Sequence, residues 1–317
     1  MTEMGINKTN DVNNMANMAV EIAGVKFKNP IFTASGTCGF GREYLPYYSL
    51  NEIGAITTKG ICLNPKEGNK PPRVAETHGG MLNAVGLQNP GVEYFLEYEL
   101  SHLKKYDVGI IANIFGNTVE ECAEVAGMLA GSGVDIIELN ISCPNVKEGG
   151  IVFGTKAKMA EQITLAVKKR AGNTPLAVKL SPNVTDIAKI ARAVRDGGAD
   201  AISMINTLIG MRIDIKTRRP ILKNNTGGLS GGAIKPVAVR MIWQVKQAVD
   251  LPIIGMGGVQ SGDDAAELMI AGASAVAVGT AAFDNPSAVI KIRDELGNYL
   301  EKNNTSASEL TGSLEIW

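Results

Sequence analysis

The chain has 317 residues, of which 45% are hydrophobic and 20% charged, and this is the composition of a globular protein with a sizeable core. Lysine and arginine number 31 against 32 acidic residues, so the charge balance excludes the strongly basic character of proteins that bind nucleic acids or membrane surfaces. Two histidines, and four cysteines without a CxxC pair, argue against a metal or iron–sulfur site.

The first residues, 1–18, are polar and rich in asparagine, and we predict a disordered N-terminal tail for them. They lack the apolar centre of a secretion signal, and no apolar run in the chain approaches the roughly 20 residues of a membrane span. The scattered cysteines are expected to be free thiols, which predicts a cytoplasmic location. The balanced charge and the missing apolar run predict no membrane partner. Residues 19–317 are predicted to form a single domain.

Strands are the first elements predicted after this tail. Residues 19–28 alternate around Ala23-Gly24, which is typical of a short β-hairpin. Eight further strands follow, mostly as continuous apolar runs, which is expected for strands buried on both faces of a parallel arrangement. They are residues 31–35, 55–59, 109–115, 135–141, 176–180, 201–206, 252–257 and 275–280.

Helices are predicted between these strands. Residues 119–129 follow Thr118, and Glu121 lies three residues beyond it, which is the pattern of a capping box. Three other segments carry an apolar stripe or a recognisable first turn. They are residues 186–195, 235–249 and 263–271.

Three segments of the chain resemble one another in their order of residue types. Residues 131–140, 197–206 and 272–280 each contain glycine where a helix would end, then an apolar strand, then a polar residue. Eight strands with intervening helices predict a (β/α)₈ TIM barrel preceded by the short N-terminal hairpin. The alternative is an open doubly wound sheet. The sequence argues against it, because no GxGxxG motif follows the first predicted strand.

Polar or glycine residues close each of the eight predicted strands. They are Ser35, Lys59, Asn113, Asn140, Lys179, Asn206, Gly257-Gly258 and Gly279-Thr280. In a barrel these strand ends converge on one face, so a shared site is expected there. Lys59 and Lys179 each end an apolar strand, which favours an anionic ligand. The glycines after the last two strands, together with residues 227–232, are typical of a phosphate site.

The segment Asn140-Ile-Ser-Cys143-Pro-Asn145 follows a predicted buried strand. A thiol in this position can move a proton or attack an electrophile, and the asparagines can hold a planar polar ligand against it. A small buried cysteine beside turn-forming residues is the alternative. Residues 144–155 contain three glycines, which would suit either a hinged lid or a plain connection.

Six motifs between residues 58 and 207 carry a resemblance to dihydroorotate dehydrogenase, the flavin enzyme of pyrimidine synthesis, and this resemblance runs from about residue 19 to residue 300. The motifs are Thr58-Lys-Gly60, Asn83-Ala-Val-Gly-Leu-Gln-Asn89, Ala112-Asn-Ile-Phe-Gly116, Asn140-Ile-Ser-Cys-Pro-Asn145, Val178-Lys-Leu-Ser-Pro182 and Ile205-Asn-Thr207. The membrane-associated class of this family has a serine as its catalytic base and an N-terminal anchor. This chain has Cys143 at that position and is expected to have no anchor, so it resembles the soluble class 1. The motif that begins at Asn83 and residues 142–150 resemble the catalytic subunit of its 1B subclass.

The resemblance implies FMN as the cofactor of this single catalytic domain and no metal. The residues it implies for FMN are Ser35, Lys59, Gly60, Asn113, Asn140, Lys179, Ile205, Gly231, Gly257, Gly258, Gly279 and Thr280. Those it implies for the substrate are Lys59, Asn83, Ala84, Val85, Gly86, Leu87, Asn140, Asn145, Asn206 and Thr207. Cys143 is implied as the base that removes the C5 proton of dihydroorotate, while the hydride from C6 passes to FMN.

The same resemblance implies a second subunit, which carries FAD and a [2Fe–2S] cluster and delivers electrons to NAD⁺. It also implies that two catalytic chains form a homodimer within a heterotetramer. The fumarate-dependent subclass 1A and a dihydropyrimidine dehydrogenase-like domain are alternatives, and Asn145 favours the dihydroorotate enzyme over the latter. A barrel whose thiol attacks a purine and a simple binding module are more distant alternatives. A yellow colour in the purified protein would separate the flavin enzymes from the first of these. Turnover of dihydroorotate with a dye acceptor would separate them from a binding module.

Overall fold

The computed structural model describes residues 18–142 and 153–317. Sixteen strands lie in these residues. They are β1 (Val20–Ile22), β2 (Val25–Phe27), β3 (Ile31–Thr33), β4 (Ala55–Thr57), β5 (Val74–Thr77), β6 (Gly80–Asn83), β7 (Gly109–Ile114), β8 (Ile136–Asn140), β9 (Leu176–Lys179), β10 (Ala201–Met204), β11 (Leu208–Gly210), β12 (Ile213–Asp214), β13 (Arg219–Pro220), β14 (Gly227–Ser230), β15 (Ile253–Met256) and β16 (Ala275–Val278).

Helices pack around the outside of these strands. They are α1 (residues 92–103, including the π-helical segment Phe95–Glu99), α2 (Val119–Leu129), α3 (Ala157–Ala171), α4 (Ile187–Asp196), α5 (Lys235–Lys246), α6 (Gly262–Ile270), α7 (Ala281–Asp284), α8 (Ala288–Lys302) and α9 (Ala307–Leu310). Short 3₁₀ turns occupy Arg42–Tyr44, Leu50–Glu52, Phe153–Thr155 and Gly232–Ile234. Within the described residues, no helix is both long enough and apolar enough to cross a bilayer.

Eight parallel strands close into a barrel in the order β10-β15-β16-β3-β4-β7-β8-β9. The predicted (β/α)₈ barrel is confirmed, and each of its strands is one of the eight predicted from an apolar run. The strands bury both faces: Ile136, Ile137 and Leu139 of β8, for example, are all fully buried. The observed strands end one or two residues before the predicted ends, because Ser35, Lys59 and similar residues have already left the hydrogen-bonded ladder.

The predicted N-terminal hairpin is also confirmed. Strands β1 and β2 pair antiparallel with Val20 opposite Phe27. The two residues between the strands, Ala23 and Gly24, both have positive φ, 53° and 82°. Two consecutive left-handed residues give the tight two-residue turn whose twist matches that of the flanking strands.

The four predicted helices are present, and two of them differ from the prediction in detail. At α2, Thr118 Oγ1 accepts from the Glu121 N–H (3.1 Å), but the Glu121 carboxylate accepts from the N–H of Asn117 (2.6 Å). The capping box is therefore only half formed, because the acid caps the preceding residue instead. Helix α5 ends at Lys246, three residues before the predicted end, and a tight turn follows in which the Ala248 N–H donates to the Val245 carbonyl.

A four-stranded antiparallel sheet, in the order β11-β14-β6-β5, is the main feature that the sequence did not predict. Its strands are short, and β14 begins with two glycines, so they carry no clear alternation of polar and apolar residues. The sheet has its own small core of Ala75, Leu82, Ala84 and Leu222.

Candidate active site

A cavity of about 420 Å³ opens where the carboxyl ends of the barrel strands converge. Ser35 and Lys59 reach it from just beyond β3 and β4, while Asn113, Asn140 and Lys179 reach it from β7, β8 and β9. The extra sheet supplies a further wall through residues of β5, β6 and β14. The polar strand ends are thus brought together, as a barrel requires.

The cavity gathers most of the residues predicted from the sequence. All those implied for FMN line it, namely Ser35, Lys59, Gly60, Asn113, Asn140, Lys179, Ile205, Gly231, Gly257, Gly258, Gly279 and Thr280. Of those implied for the substrate, the lining contains Lys59, Asn83, Val85, Gly86, Leu87, Asn140, Asn206 and Thr207. Cys143 and Asn145 lie outside the described residues.

Ala84 is the one described residue of the predicted set that the cavity wall does not include. Its methyl group is fully buried in the small core of the extra sheet. Its N–H donates to the Arg73 carbonyl (2.8 Å), and its carbonyl accepts from Asn69 Nδ2 (2.9 Å). Its backbone groups are therefore already engaged within the protein, whereas the neighbouring Asn83 and Val85 face the cavity.

Two asparagines at the cavity are oriented by Ser142. Asn140 Oδ1 accepts from both the Ser142 N–H (3.0 Å) and the Ser142 hydroxyl (2.6 Å). Asn206 Nδ2 donates to that hydroxyl (2.5 Å), and Asn206 Oδ1 accepts from the Thr207 N–H (2.8 Å). With both amide oxygens engaged, the two side chains offer their remaining N–H groups to a ligand, which suits carbonyl or carboxylate oxygens.

Backbone N–H groups without a partner in the described part of the chain lie at the cavity wall beyond β15 and β16. Those of Gly258, Gly279 and Thr280 have no acceptor among the described residues. Gly258 has a φ of +83°, and a Cβ on it would lie 2.6 Å from Lys235 Cβ and 2.8 Å from the Lys235 nitrogen. Glycine adopts this left-handed conformation without strain and leaves room for the close approach of Lys235, and unpaired N–H groups at such a turn form a ready anion site.

Lys59 and Lys179 are the only ionisable side chains among the described lining residues. Burial lowers the pKa of Lys59, and the positive charge of Arg73 lowers it further. Lys179 is 4% exposed, with the Glu138 carboxylate 3.9 Å from its Nζ. Glu138 did not stand out in the sequence because it lies within an apolar run, although its two-residue spacing from Asn140 places both on one face of the strand.

The described cysteines are all free, and none lines the cavity. Burial raises the pKa of Cys38 and of Cys122 to about 12. Burial also raises the pKa of Cys62, while hydrogen bonding to Asn89 partly opposes the shift. Because the thiolate is the reactive form, these three side chains remain inert thiols at neutral pH.

Comparison with known proteins gives a consistent result along nearly the whole chain. The model of the family described as dihydroorotate dehydrogenase matches residues 17–300. The chain is 57% identical over 299 residues to a protein of Alkaliphilus metalliredigens, covering 94% of this chain and 99% of that one. It is 56% identical over 301 residues to a protein of Geobacter sp., covering 94% and 98%. Both relatives are named dihydroorotate dehydrogenase B (NAD(+)), catalytic subunit.

Proposed function

The chain belongs to the dihydroorotate dehydrogenase family, and we propose that it oxidises dihydroorotate to orotate in pyrimidine biosynthesis. The main support is that one cavity gathers every described residue that was predicted to bind FMN or substrate, except Ala84. The site has two parts, a glycine-rich end with unpaired N–H groups and an asparagine-rich end with oriented donors. A cofactor phosphate suits the first part, and a small polar acid suits the second.

FMN is the cofactor that the family implies, and the residues present fit it. The N–H groups of Gly258, Gly279 and Thr280 would hold its phosphate, while Lys179 and Asn113 would face its ring system. When bound, FMN supplies the acceptor for the hydride that leaves C6 of dihydroorotate. The ammonium of Lys179 would stabilise negative charge that develops at this end of the cavity.

The asparagines and Lys59 are proposed to hold the substrate. Asn140 and Asn206 present N–H donors, and dihydroorotate offers carbonyl and carboxylate oxygens to them. Lys59 adds a positive charge for the carboxylate. Cys143 follows Ser142, which joins the two asparagines, and we propose its thiolate as the base that takes the proton from C5. Asn145 is proposed as a further substrate contact.

The affinity for orotate is expected to fall as the pH rises from about 7 to about 10, partly because Lys59 loses its charge. The pKa of Lys59 is lowered by burial, so this lysine becomes neutral at a lower pH than an exposed one and then no longer attracts the carboxylate. Flavin absorbance changes on orotate titration give the dissociation constant at each pH.

The matched control for this pH dependence is Lys59→Arg, since arginine keeps its charge throughout the range. Its affinity should fall less steeply than that of the wild type, whereas Lys59→Met should bind weakly at every pH. Identical slopes in the wild type and Lys59→Arg would remove Lys59 from the carboxylate site.

We also propose a second subunit that carries FAD and a [2Fe–2S] cluster and passes the electrons to NAD⁺. The relatives are named as catalytic subunits of NAD⁺ enzymes, which supports an electron-transfer partner for this chain. A homodimer of catalytic chains within a heterotetramer, located in the cytoplasm, completes the proposal. The fumarate-dependent subclass is less well supported, because both relatives are named as NAD⁺ enzymes.

The function is tested by comparing electron acceptors with the purified chain. The protein should purify yellow, and dihydroorotate should drive the reduction of an artificial dye. Reduction of NAD⁺ should require the partner subunit. Efficient NAD⁺ reduction by the chain alone would contradict the proposed partner, and efficient fumarate reduction would favour the other subclass.

A further inference from the structure

Glu138 places a carboxylate inside the barrel, two residues before Asn140 on β8. The residue is 1% exposed, and in the strand register it lies opposite Asn113 of β7 and Ala177 of β9. Removing a carboxylate from water carries a penalty of several kcal/mol after relaxation. The contacts of this side chain must therefore account for its place in the barrel.

Two residues that line the cavity make those contacts. Glu138 Oε1 accepts from Asn113 Nδ2 (2.5 Å) and lies 3.9 Å from Lys179 Nζ. Glu138 Oε2 has no hydrogen-bond partner among the described residues. Glu138 itself is not part of the cavity wall, whereas Asn113 and Lys179 both are.

These contacts fix what the cavity presents to its ligand. Because the Asn113 amide nitrogen donates to Glu138, its oxygen is left as an acceptor beside Gly60, where a Cβ would lie 2.9 Å from it. The ion pair sets the local charge. Glu138 offsets the positive charge of Lys179, while the ammonium remains the closer of the two to the ligand, since only Lys179 lines the wall.

We propose that Glu138 is a positioning residue that lowers the reduction potential of the bound flavin by pairing with Lys179. The proposal rests on the proposed function in taking FMN as the ligand of this cavity. Acceptance of a hydride adds one negative charge to the flavin ring. Lys179 favours that charge and Glu138 opposes it, so the pair holds the potential below the value that a lone lysine would give.

Charge-removing substitutions test this proposal. Spectroelectrochemical titration of the FMN-loaded protein without dihydroorotate measures the potential directly. Glu138→Gln, which keeps the volume and removes the charge, should make it more positive. We expect the ratio of reduced to oxidised flavin at a fixed applied potential to rise at least tenfold, which is about 30 mV for a two-electron couple. Lys179→Met should shift the ratio in the opposite direction, and the double variant should lie between the two single variants.

A merely structural role for Glu138 predicts a different pattern. It would lower the melting temperature of the variant and leave the potential unchanged. Glu138→Asp is the second variant, since it keeps the charge and should stay within a few-fold of the wild-type ratio even if it is less stable. A wild-type potential in Glu138→Gln, or an equal shift in Glu138→Asp, would overturn the proposal. Failure of the proposed function would be visible separately, as a wild-type protein that binds no FMN or is not reduced by dihydroorotate.

Discussion

Replacement of Cys143 by alanine is expected to leave FMN bound and to slow the reduction of the flavin by dihydroorotate about 10²–10⁴-fold, the usual cost of removing a general base. Lys59 and Lys179 are the only ionisable groups among the described lining residues. Both are proposed to hold negative charge in their protonated forms, so neither is suited to accept the C5 proton. Stopped-flow absorbance after anaerobic mixing measures this rate.

Cys122→Ala is the matched control for the Cys143 variant. Cys122 is buried in α2, burial raises its pKa to about 12, and it does not line the cavity. Its replacement should lower stability slightly and leave the rate of flavin reduction unchanged. Near wild-type reduction in Cys143→Ala would exclude Cys143 as the base.

Substitution of Gly258 by alanine is expected to raise the dissociation constant of FMN at least about tenfold, equivalent to about 1.4 kcal/mol. A left-handed conformation costs an L-residue about 1–2 kcal/mol. The new methyl group would also lie 2.6 Å from Lys235 Cβ, so the loop must shift and carry its N–H groups away from the phosphate. Fluorescence titration of the apoprotein with FMN measures the constant.

Gly131→Ala separates the cost of backbone strain from the effect at the cavity. Gly131 has a φ of +68°, but a Cβ there would meet no atom within 4 Å. The substitution should therefore cost similar backbone strain and leave the FMN dissociation constant at its wild-type value. Equal losses of FMN affinity in the two variants would mean that general destabilisation, and not the phosphate turn, explains the effect of Gly258→Ala.

The barrel was predictable because its strands are buried on both faces. Such strands appear in the sequence as continuous apolar runs, and residues such as Lys59 and Lys179 mark their ends. The convergence of these ends follows from barrel geometry, so the polar lining of the cavity was predictable from the strand ends alone. The assignment of roles to individual residues came from the resemblance to a family and not from the pattern of strands.

The extra sheet and Glu138 were not predictable by the same argument. Strand β14 is Gly-Gly-Leu-Ser, and it pairs with β6 nearly 150 residues earlier in the chain, so no local period reveals it. The ion pair of Glu138 with Lys179 likewise joins two strands that helix α3 separates in the sequence, so no local pattern pairs the two residues. The position of Ala84 was also not predictable. The motif that begins at Asn83 was assigned to the substrate as one segment, and it does not reveal that the Ala84 side chain turns away from the cavity.

Anaerobic titration of the purified chain with dihydroorotate tests whether dihydroorotate reduces the flavin of this protein. We predict that flavin absorbance bleaches in proportion to the dihydroorotate added, with one orotate formed per FMN reduced and no partner subunit present. A protein that purifies with FMN and is bleached by dithionite, but not by dihydroorotate, would contradict the proposed activity.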